Sequence, residues 1–233
     1  QAELDGDSGQ FTTTVGARKL IDILRSMPSD QTVSLESNQN KLILKGGKSR
    51  FTLQTLQAED FPLVQESSSF GPVFSVPQKT LKQLLNQVSF AMAVHDIRYY
   101  LNGIYLHVAG SGKNATLRAV ATDGHRLALC ETTLSARVTG KQQVILPRKG
   151  VLELQRMLGE EGDVELAVGT NHVRCTIGEI RFTSKLIDGR FPEYSRVIPA
   201  RANRVIDADR STLKQSLSRT AILSNEKFRG IRL

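Results

Sequence analysis

Three stretches of the chain place apolar residues three or four positions apart, which is the spacing of an amphipathic α-helix. The pattern predicts helices within residues 14–27, at residues 78–88 and within residues 144–158. The inward-facing residues are predicted to be Leu20, Leu24 and Met27 in the first helix; Leu81, Leu84, Leu85 and Val88 in the second; and Val151, Leu154 and Leu158 in the third, where Leu152 and Met157 widen the stripe.

Between the helices, apolar and polar residues alternate as they do in a half-buried β-strand. After the third helix, strands are predicted at residues 164–168, 173–177 and 180–184. The residues after the first helix follow the same order, with apolar positions at Val33, Leu35, Leu42, Leu44, Phe51 and Leu53. Each unit is predicted to be a short opening strand, a helix and a three-stranded antiparallel meander. This α+β unit has to bury its helix stripe and one sheet face against a neighbour.

Short sequence matches recur at a separation of about 130 residues. The matched pairs are Ala17-Arg18-Lys19 with Pro147-Arg148-Lys149, Arg50-Phe51-Thr52 with Arg181-Phe182-Thr183, Phe61-Pro62 with Phe191-Pro192, and Thr80–Gln83 with Thr212–Gln215. Their common order predicts a tandem repeat of domain size. The last match predicts a fourth helix at residues 211–219.

The sequence also predicts several turns and indicates how the chain begins and ends. Asp123-Gly124 between two apolar runs predicts a tight hairpin turn. The Gly-rich stretches at residues 46–47 and 110–112 are interpreted as hairpin turns, and the alternating residues 228–233 as a strand that stops mid-element. Since Gln1 is also not a start residue, we interpret the chain as an internal fragment of a longer repeat protein.

Composition sets wide bounds on the function. With 233 residues, 39% of them hydrophobic, the chain is long enough for two ordinary cores. Its net charge of +8 suits an anionic partner but does not prove one. No run of 18 apolar residues and no secretory leader is expected. Cys130 and Cys175 lie in strand-like runs without partner spacing, which favours reduced thiols and a cytoplasmic protein.

Two candidate reactive sites are weaker than their structural alternatives. His95-Asp96 has the form of a metal-binding pair, but the other histidines are not spaced as further ligands, so no metal and no cofactor is expected. His125, Asp123 and Cys130 could form a nucleophilic arrangement, but Cys130 lies in an apolar run without a second base. The sequence therefore predicts no catalytic residues.

Four motifs carry a resemblance to a known family: residues 121–128, 146–150, 182–192 and 222–230. They closely resemble the beta subunit of bacterial DNA polymerase III, the family of replicative sliding clamps. The resemblance implies a DNA-clamp fold of three similar domains, each made of two helix–sheet units, and a head-to-tail homodimer ring around duplex DNA. It implies that residues 1–70 are the second half of the first domain, 73–199 the complete second domain, and 200–233 the start of the third.

The resemblance also implies a peptide-binding pocket. Polymerase III catalytic subunits, clamp loaders and repair polymerases dock on such clamps through short peptide motifs with apolar anchors. The residues that match the family's pocket are Leu101, Thr122, Gly124, His125, Arg126, Leu127, Pro192 and Val197. Core packing is the alternative for the leucines, and without the resemblance it would be favoured.

Two further surfaces are predicted. The cations expected to face DNA without reading bases are Lys79, Lys82, Arg98, Arg148, Lys149, Arg156 and Lys214. Lys48, Arg50 and Leu53 match the family's edge strand at the dimer interface, and the 233-residue chain is not expected to close a ring. The alternative function is a sequence-independent DNA-binding protein or nucleic-acid enzyme that acts through the same basic helix faces. Against it stands the lack of a carboxylate cluster or a series of base-stacking aromatics.

Overall fold

Strands run directly into helices in this structure, with a proline at two of the junctions. Pro77 and Pro147 are each the last residue of a strand and the residue that caps the following helix. The proline ring restricts φ to a value that the helix start accepts. At Pro147, φ is −65° while ψ is 149°, so the residue ends the strand and admits the helix without a loop.

The computed structural model describes residues 9–62, 70–109, 115–134, 142–199, 204–224 and 230–231. The helices in these ranges are α1 (Ala17–Ser26), α2 (Gln78–Val88), α3 (Arg148–Met157) and α4 (Arg210–Ala221), so the four predicted helices are confirmed. None of them has the length and hydropathy needed to cross a bilayer. The predicted turn at residues 110–112 lies outside the described residues, as does most of the predicted strand at residues 228–233.

The chain divides into two compact units, residues 1–68 and 69–233. The first contains α1 and one antiparallel sheet of β1 (Thr14–Val15), β2 (Val33–Asn38), β3 (Lys41–Gly46) and β4 (Ser49–Leu56), in the order β1-β4-β3-β2. The sheet buries Leu42, Leu44 and Leu53. No residue of α1 is buried, and Leu24 of its predicted apolar stripe is 43% exposed. Leu20 and Met27 of the predicted stripe are half-buried, so the stripe is only partly covered in this unit as described.

The second unit contains two four-stranded antiparallel sheets. Their strands are β5 (Phe74–Pro77), β6 (Gly103–Ala109), β7 (Thr116–Thr122), β8 (Leu127–Thr133), β9 (Gln142–Pro147), β10 (Asp163–Val168), β11 (His172–Ile177) and β12 (Ile180–Lys185). One sheet has the order β12-β11-β10-β5, and the other has the order β8-β7-β6-β9. Both meanders of this unit are confirmed, but β5 pairs with β10 of the meander after α3, and β9 pairs with β6 of the meander after α2. The two halves of this unit are therefore joined by exchanged strands.

The main core of the second unit lies between the helices and the sheets. Leu81, Leu84, Leu85 and Val88 of α2 are buried, and so are Val151, Leu154 and Leu158 in and after α3, as predicted. Leu152 is 38% exposed, so its assignment to the stripe is wrong, whereas Met157 packs against the core. The exposure of Leu152 follows from its position, because it lies one residue beyond Val151 and therefore about 100° around the helix.

The helices α2 and α3 lie side by side and antiparallel. The Gln78 side chain, at the start of α2, accepts the Gly159 N–H at 2.8 Å and donates to the Glu161 carbonyl at 2.8 Å. Near the other end of α2, Asn86 Oδ1 accepts from Gln155 Nε2 at 2.7 Å. These contacts follow the two helices in opposite directions, so the cations predicted to face DNA on α2 and on α3 lie on neighbouring helices.

Candidate functional site

The loop between β7 and β8 is ordered by the Asp123 carboxylate. Asp123 Oδ1 accepts the backbone N–H of His125 at 2.9 Å and of Arg126 at 3.0 Å, and Oδ2 pairs with Arg126 Nε at 3.0 Å. Burial alone would raise the pKa of Asp123, but these donors lower it below its ordinary value. The predicted hairpin turn is present, and since the last strand pair is Thr122 with Leu127, its loop has four residues.

Two further contacts close this loop. Thr122 Oγ1 donates to the Arg126 carbonyl at 2.7 Å and accepts the Gly124 N–H at 3.1 Å. Gly124 has φ of +89°, a conformation that glycine adopts without steric cost. Four predicted pocket residues, from Thr122 to Arg126 without Asp123, are thus brought into one short, internally bonded loop.

Arg98 lies against this loop. Its Nε and Nη2 donate to the two carboxylate oxygens of Asp96 at 3.0 and 2.8 Å, and Nη2 also donates to the Asp123 carbonyl at 3.1 Å. Hydrogen bonds from Arg98 lower the pKa of Asp96 to about 2. Arg98 was predicted to face DNA. The structure places it outside the helices, beside the hairpin loop, with its charge paired to Asp96.

A small apolar cluster lies beside the loop. Its buried members are Ala93, Leu101, Val120, Ile145 and Phe191, and the partly buried residues packed on it are Tyr100, Tyr105, Leu127, Ile187 and Tyr194. Of the predicted wall residues, Leu127 is partly open while Leu101 is only 2% exposed. Leu101 therefore supports the site from beneath, because little of its side chain remains for a ligand to touch.

Four aromatic residues of this cluster were not predicted from the sequence: Tyr100, Tyr105, Phe191 and Tyr194. The Tyr105 ring stacks on Phe191, with ring centroids 4.9 Å apart and an interplanar angle of 7°, and Tyr194 lies 6.2 Å from Tyr105. Burial is the main cause that raises the pKa of Tyr105. The available signal was the repeated Phe-Pro pair, since Phe191 precedes the predicted pocket residue Pro192.

Pro192 and Val197 lie on the segment that follows β12. Pro192 lines a groove of 720 Å³ together with Tyr105 and Tyr194. Val197 follows a short 3-10 helix, Tyr194–Arg196, and is 66% exposed. The structure thus brings the loop, Leu101 and Leu127 together with the Phe191 segment. The Val197 side chain remains exposed, while its backbone N–H donates to the Tyr194 carbonyl at 3.0 Å.

Models of two related domains match the chain. The model of the DNA polymerase III beta subunit N-terminal domain matches residues 1–65, and that of the central domain matches residues 75–193. The chain belongs to the DNA polymerase III beta subunit family. Both matched domains come from the family that the four sequence motifs resemble, so the recognition is confirmed.

Named relatives agree with the family. The chain is 51% identical over 224 residues to the Beta sliding clamp of Pseudomonas aeruginosa, covering 94% of this chain and 59% of the relative. It is 45% identical over 222 residues to the Beta sliding clamp of Escherichia coli K12, covering 95% and 59%. The chain thus spans about 60% of the length of these relatives.

Solved structures show the fold. The P. aeruginosa DNA polymerase III subunit beta superposes with a TM-score of 0.87 at 49% identity, over 93% of this chain and 58% of that one. A P. aeruginosa sliding clamp bound to griselimycin superposes with a TM-score of 0.86 at 50% identity. The chain has the α+β DNA-clamp fold, as predicted.

The clamp family's expected DNA-facing cations lie mainly on two helices. Lys79 and Lys82 are on α2, Arg148, Lys149 and Arg156 are on α3, and Lys214 is on α4. Two of these cations have acidic partners, and only the partner of Lys82 was not apparent from the sequence. Lys82 Nζ lies 3.0 Å from Glu160 Oε1, and Arg156 Nη1 lies 2.9 Å from Glu153 Oε1. Both pairs reduce the net positive charge of the surface.

Of the three residues predicted at the dimer interface, two have exposed side chains and one is buried. Lys48 lies in the turn before β4, and Arg50 is exposed on the strand. Leu53 is 8% exposed and belongs to the buried face of the sheet, so only its backbone is open at the strand edge. β1 pairs with Thr55 and Leu56 of β4, so among the described strands the outer edge of residues 49–54 remains unpaired.

The two reactive-site alternatives gain nothing from the structure. Cys130 Sγ donates to Gln87 Oε1 at 2.7 Å, and Cys175 is a buried thiol whose pKa burial raises to about 12. Among the residues that the structure describes, no three His, Cys, Asp or Glu side chains are grouped so that they could hold a metal ion.

Proposed function

We propose that this chain is part of a DNA sliding clamp, a ring-shaped processivity factor that encircles duplex DNA. The observation that carries the proposal is the 51% identity to a Beta sliding clamp over 94% of the chain. A clamp acts in the cytoplasm as a topological tether and carries out no chemistry of its own, so its surfaces need only hold DNA loosely and partners specifically. The full-length protein closes as a head-to-tail homodimer through the edge of β4.

The basic faces of α2, α3 and α4 would meet the phosphate backbone. Lys79, Lys149 and Lys214 are exposed, and contacts from lysine and arginine to phosphate carry no direct sequence information. The ion pairs of Lys82 and Arg156 with glutamates weaken the local field. A weak and uniform attraction suits a ring that has to slide.

Retention on DNA of different topology tests the proposal. The full-length protein, loaded by its clamp loader on closed circular DNA, is expected to stay bound and to be lost when the circle is cut once. A protein that binds a groove directly, or a nucleic-acid enzyme, would ignore the cut. Equal retention on circular and linear DNA would therefore refute the ring and support the alternative function.

Neutralising two α3 cations tests the DNA-facing surface. In this chain, Arg148→Gln with Lys149→Gln is expected to weaken duplex binding about equally for all sequences and to lower the slope of log K against log salt by about 2. Fluorescence anisotropy with two unrelated duplexes at several salt concentrations measures both effects. A changed preference between the duplexes would contradict the assignment, because it would mean that bases are read directly.

The hairpin loop and the apolar cluster form the proposed partner site. Leu127 and Pro192 offer apolar surface, and His125 and Arg126 offer hydrogen-bond donors beside it. The catalytic subunit of polymerase III, the clamp loader and repair polymerases would dock here through short peptides. Griselimycin, which is bound in structures of related clamps, serves as a probe of this site. A short peptide that buries one or two apolar side chains is expected to bind with roughly micromolar affinity.

A further inference from the structure

We propose that the Asp96–Arg98 pair is a positioning device that holds the peptide-site loop in its binding conformation. This proposal rests on the proposed function of the loop as a docking site. It assigns to Arg98 a role different from the phosphate contact predicted for it. The pair would act on the partner peptide through the backbone of Asp123 and Gly124, without itself being the anchor.

The position of Asp96 is fixed on both sides. Its backbone N–H donates to Asn102 Oδ1 at 3.0 Å, and its carbonyl accepts from Asn102 Nδ2 at 2.9 Å. The Asp96 carboxylate also accepts the backbone N–H of Arg98 at 2.8 Å. The Asn102 amide thus pins the segment from residue 96 to residue 102, and the carboxylate is aimed at the guanidinium before any ligand arrives.

The guanidinium of Arg98 makes three side-chain hydrogen bonds that no other side chain can reproduce together. Two go to the oxygens of Asp96 and a third goes to the Asp123 carbonyl. A guanidinium presents its donors in a rigid planar fork, whereas a lysine ammonium is a single nitrogen on a flexible stem. The fork therefore links the pinned segment to the hairpin loop in one fixed geometry.

Gly124 completes the fit between Arg98 and the loop. A Cβ atom at residue 124 would lie 2.9 Å from Arg98 Nη1 and 3.0 Å from Nη2, so a side chain there would push the guanidinium away. The guanidinium thus lies directly against the glycine backbone. Loss of Arg98 would leave this space open and would free the Asp123 carbonyl from its only side-chain donor in the described contacts.

The rest of the loop depends on Asp123. Its carboxylate fixes the N–H groups of His125 and Arg126 and pairs with the Arg126 guanidinium, which lies 5.6 Å from the Phe90 ring centroid. Asp96, Arg98, Asp123 and Arg126 are therefore connected in that order by hydrogen bonds. A loop ordered before binding loses less conformational entropy when the peptide docks, so the peptide binds more tightly.

Charge also argues against a main role for Arg98 in DNA binding. Its cation is paired with two oxygens of Asp96, whose side chain is only 21% exposed. A phosphate would have to displace a charge-assisted, bidentate contact. No contact has to be displaced when the guanidinium bonds to the Asp123 carbonyl, because it keeps both bonds to Asp96.

Three variants and one matched control test the proposal in the 233-residue chain. Arg98→Ala and Asp96→Asn remove the pair, and Arg98→Lys keeps the positive charge but not the fork. Glu36→Gln, which breaks the exposed Lys45–Glu36 ion pair in the first unit, is the control. The measurements are hydrogen exchange at the amides of residues 124–126, griselimycin titration and thermal unfolding.

The two pair-removing variants are expected to exchange these amides at least tenfold faster and to bind griselimycin about tenfold more weakly, the scale of one or two lost hydrogen bonds. Arg98→Lys should keep the unfolding temperature and still lose affinity, a split that a purely structural role would not give. The control should change neither quantity. Because Arg98→Lys keeps the ion pair, it remains informative if Arg98→Ala does not fold.

Two outcomes would overturn the proposal. One is unchanged griselimycin affinity in Arg98→Lys and Asp96→Asn. The other is unchanged amide exchange in the loop. If the unaltered chain did not bind griselimycin at all, the proposed docking function would fail, and the exchange measurement would still decide whether Asp96 and Arg98 order the loop.

Discussion

Leu127→Asp is expected to abolish griselimycin binding while the chain remains folded. Leu127 is the first residue of β8 and packs on the cluster of Leu101 and Phe191, with part of its side chain open. The aspartate would remove apolar surface worth about 1.5–3 kcal/mol to a bound apolar group. It would also place a carboxylate that has to lose water against the ligand. Together these effects predict a loss of affinity of at least about 100-fold, measured by titration calorimetry.

A matched variant separates loss of the site from loss of solubility or fold. Ile180→Asp introduces the same charge at an exposed apolar residue of β12, on the other sheet of the second unit. It should bind griselimycin like the unaltered chain. His125→Ala, which removes an exposed side chain from the loop, should weaken binding less than Leu127→Asp. Undiminished affinity in both Leu127→Asp and His125→Ala would mean that the ligand docks elsewhere.

The helices and meanders were predictable because their signals are local. The apolar spacing of α2 gave its bounds at Gln78 and Val88, and the turn residues at Gly178 separated β11 from β12. The exchange of β5 and β9 was not predictable from the same pattern. A strand reads alike whichever neighbour it pairs with, because period-two alternation specifies a face and not a partner.

The loop of the candidate site was predicted from the sequence, but its acidic partners and its aromatic stack were not. The loop residues Gly124 and His125 came from a motif, and the structure does place them beside Leu127. The acidic partners Asp96 and Glu160 were missed for different reasons. Glu160 pairs with Lys82, which is far from it in sequence. Asp96 pairs with Arg98 through a loop geometry that no spacing rule describes. The stack of Tyr105 on Phe191 joins residues more than 80 positions apart, so only the fold reveals it.

Gly103→Ala is expected to destabilise the second unit by about 3 kcal/mol, the upper end for adding a methyl group to a packed interior. Gly103 is the buried first residue of β6 and pairs with Pro147 of β9. A Cβ there would lie 2.3 Å from the Leu146 carbonyl oxygen, a backbone atom that cannot rotate away. The methyl group would therefore push β9 off β6. Because Pro147 also caps α3, the displacement would reach the helix.

Gly178→Ala is the matched control for this prediction, measured by urea unfolding of the same chain. A Cβ at Gly178 meets no atom within 4 Å, so its cost is only that of a non-glycine residue at a φ of +55°, about 1 kcal/mol. The difference between the two variants isolates the contact between β6 and β9. If Gly178→Ala proved as damaging as Gly103→Ala, the close approach of β9 to β6 would not be what requires glycine at position 103.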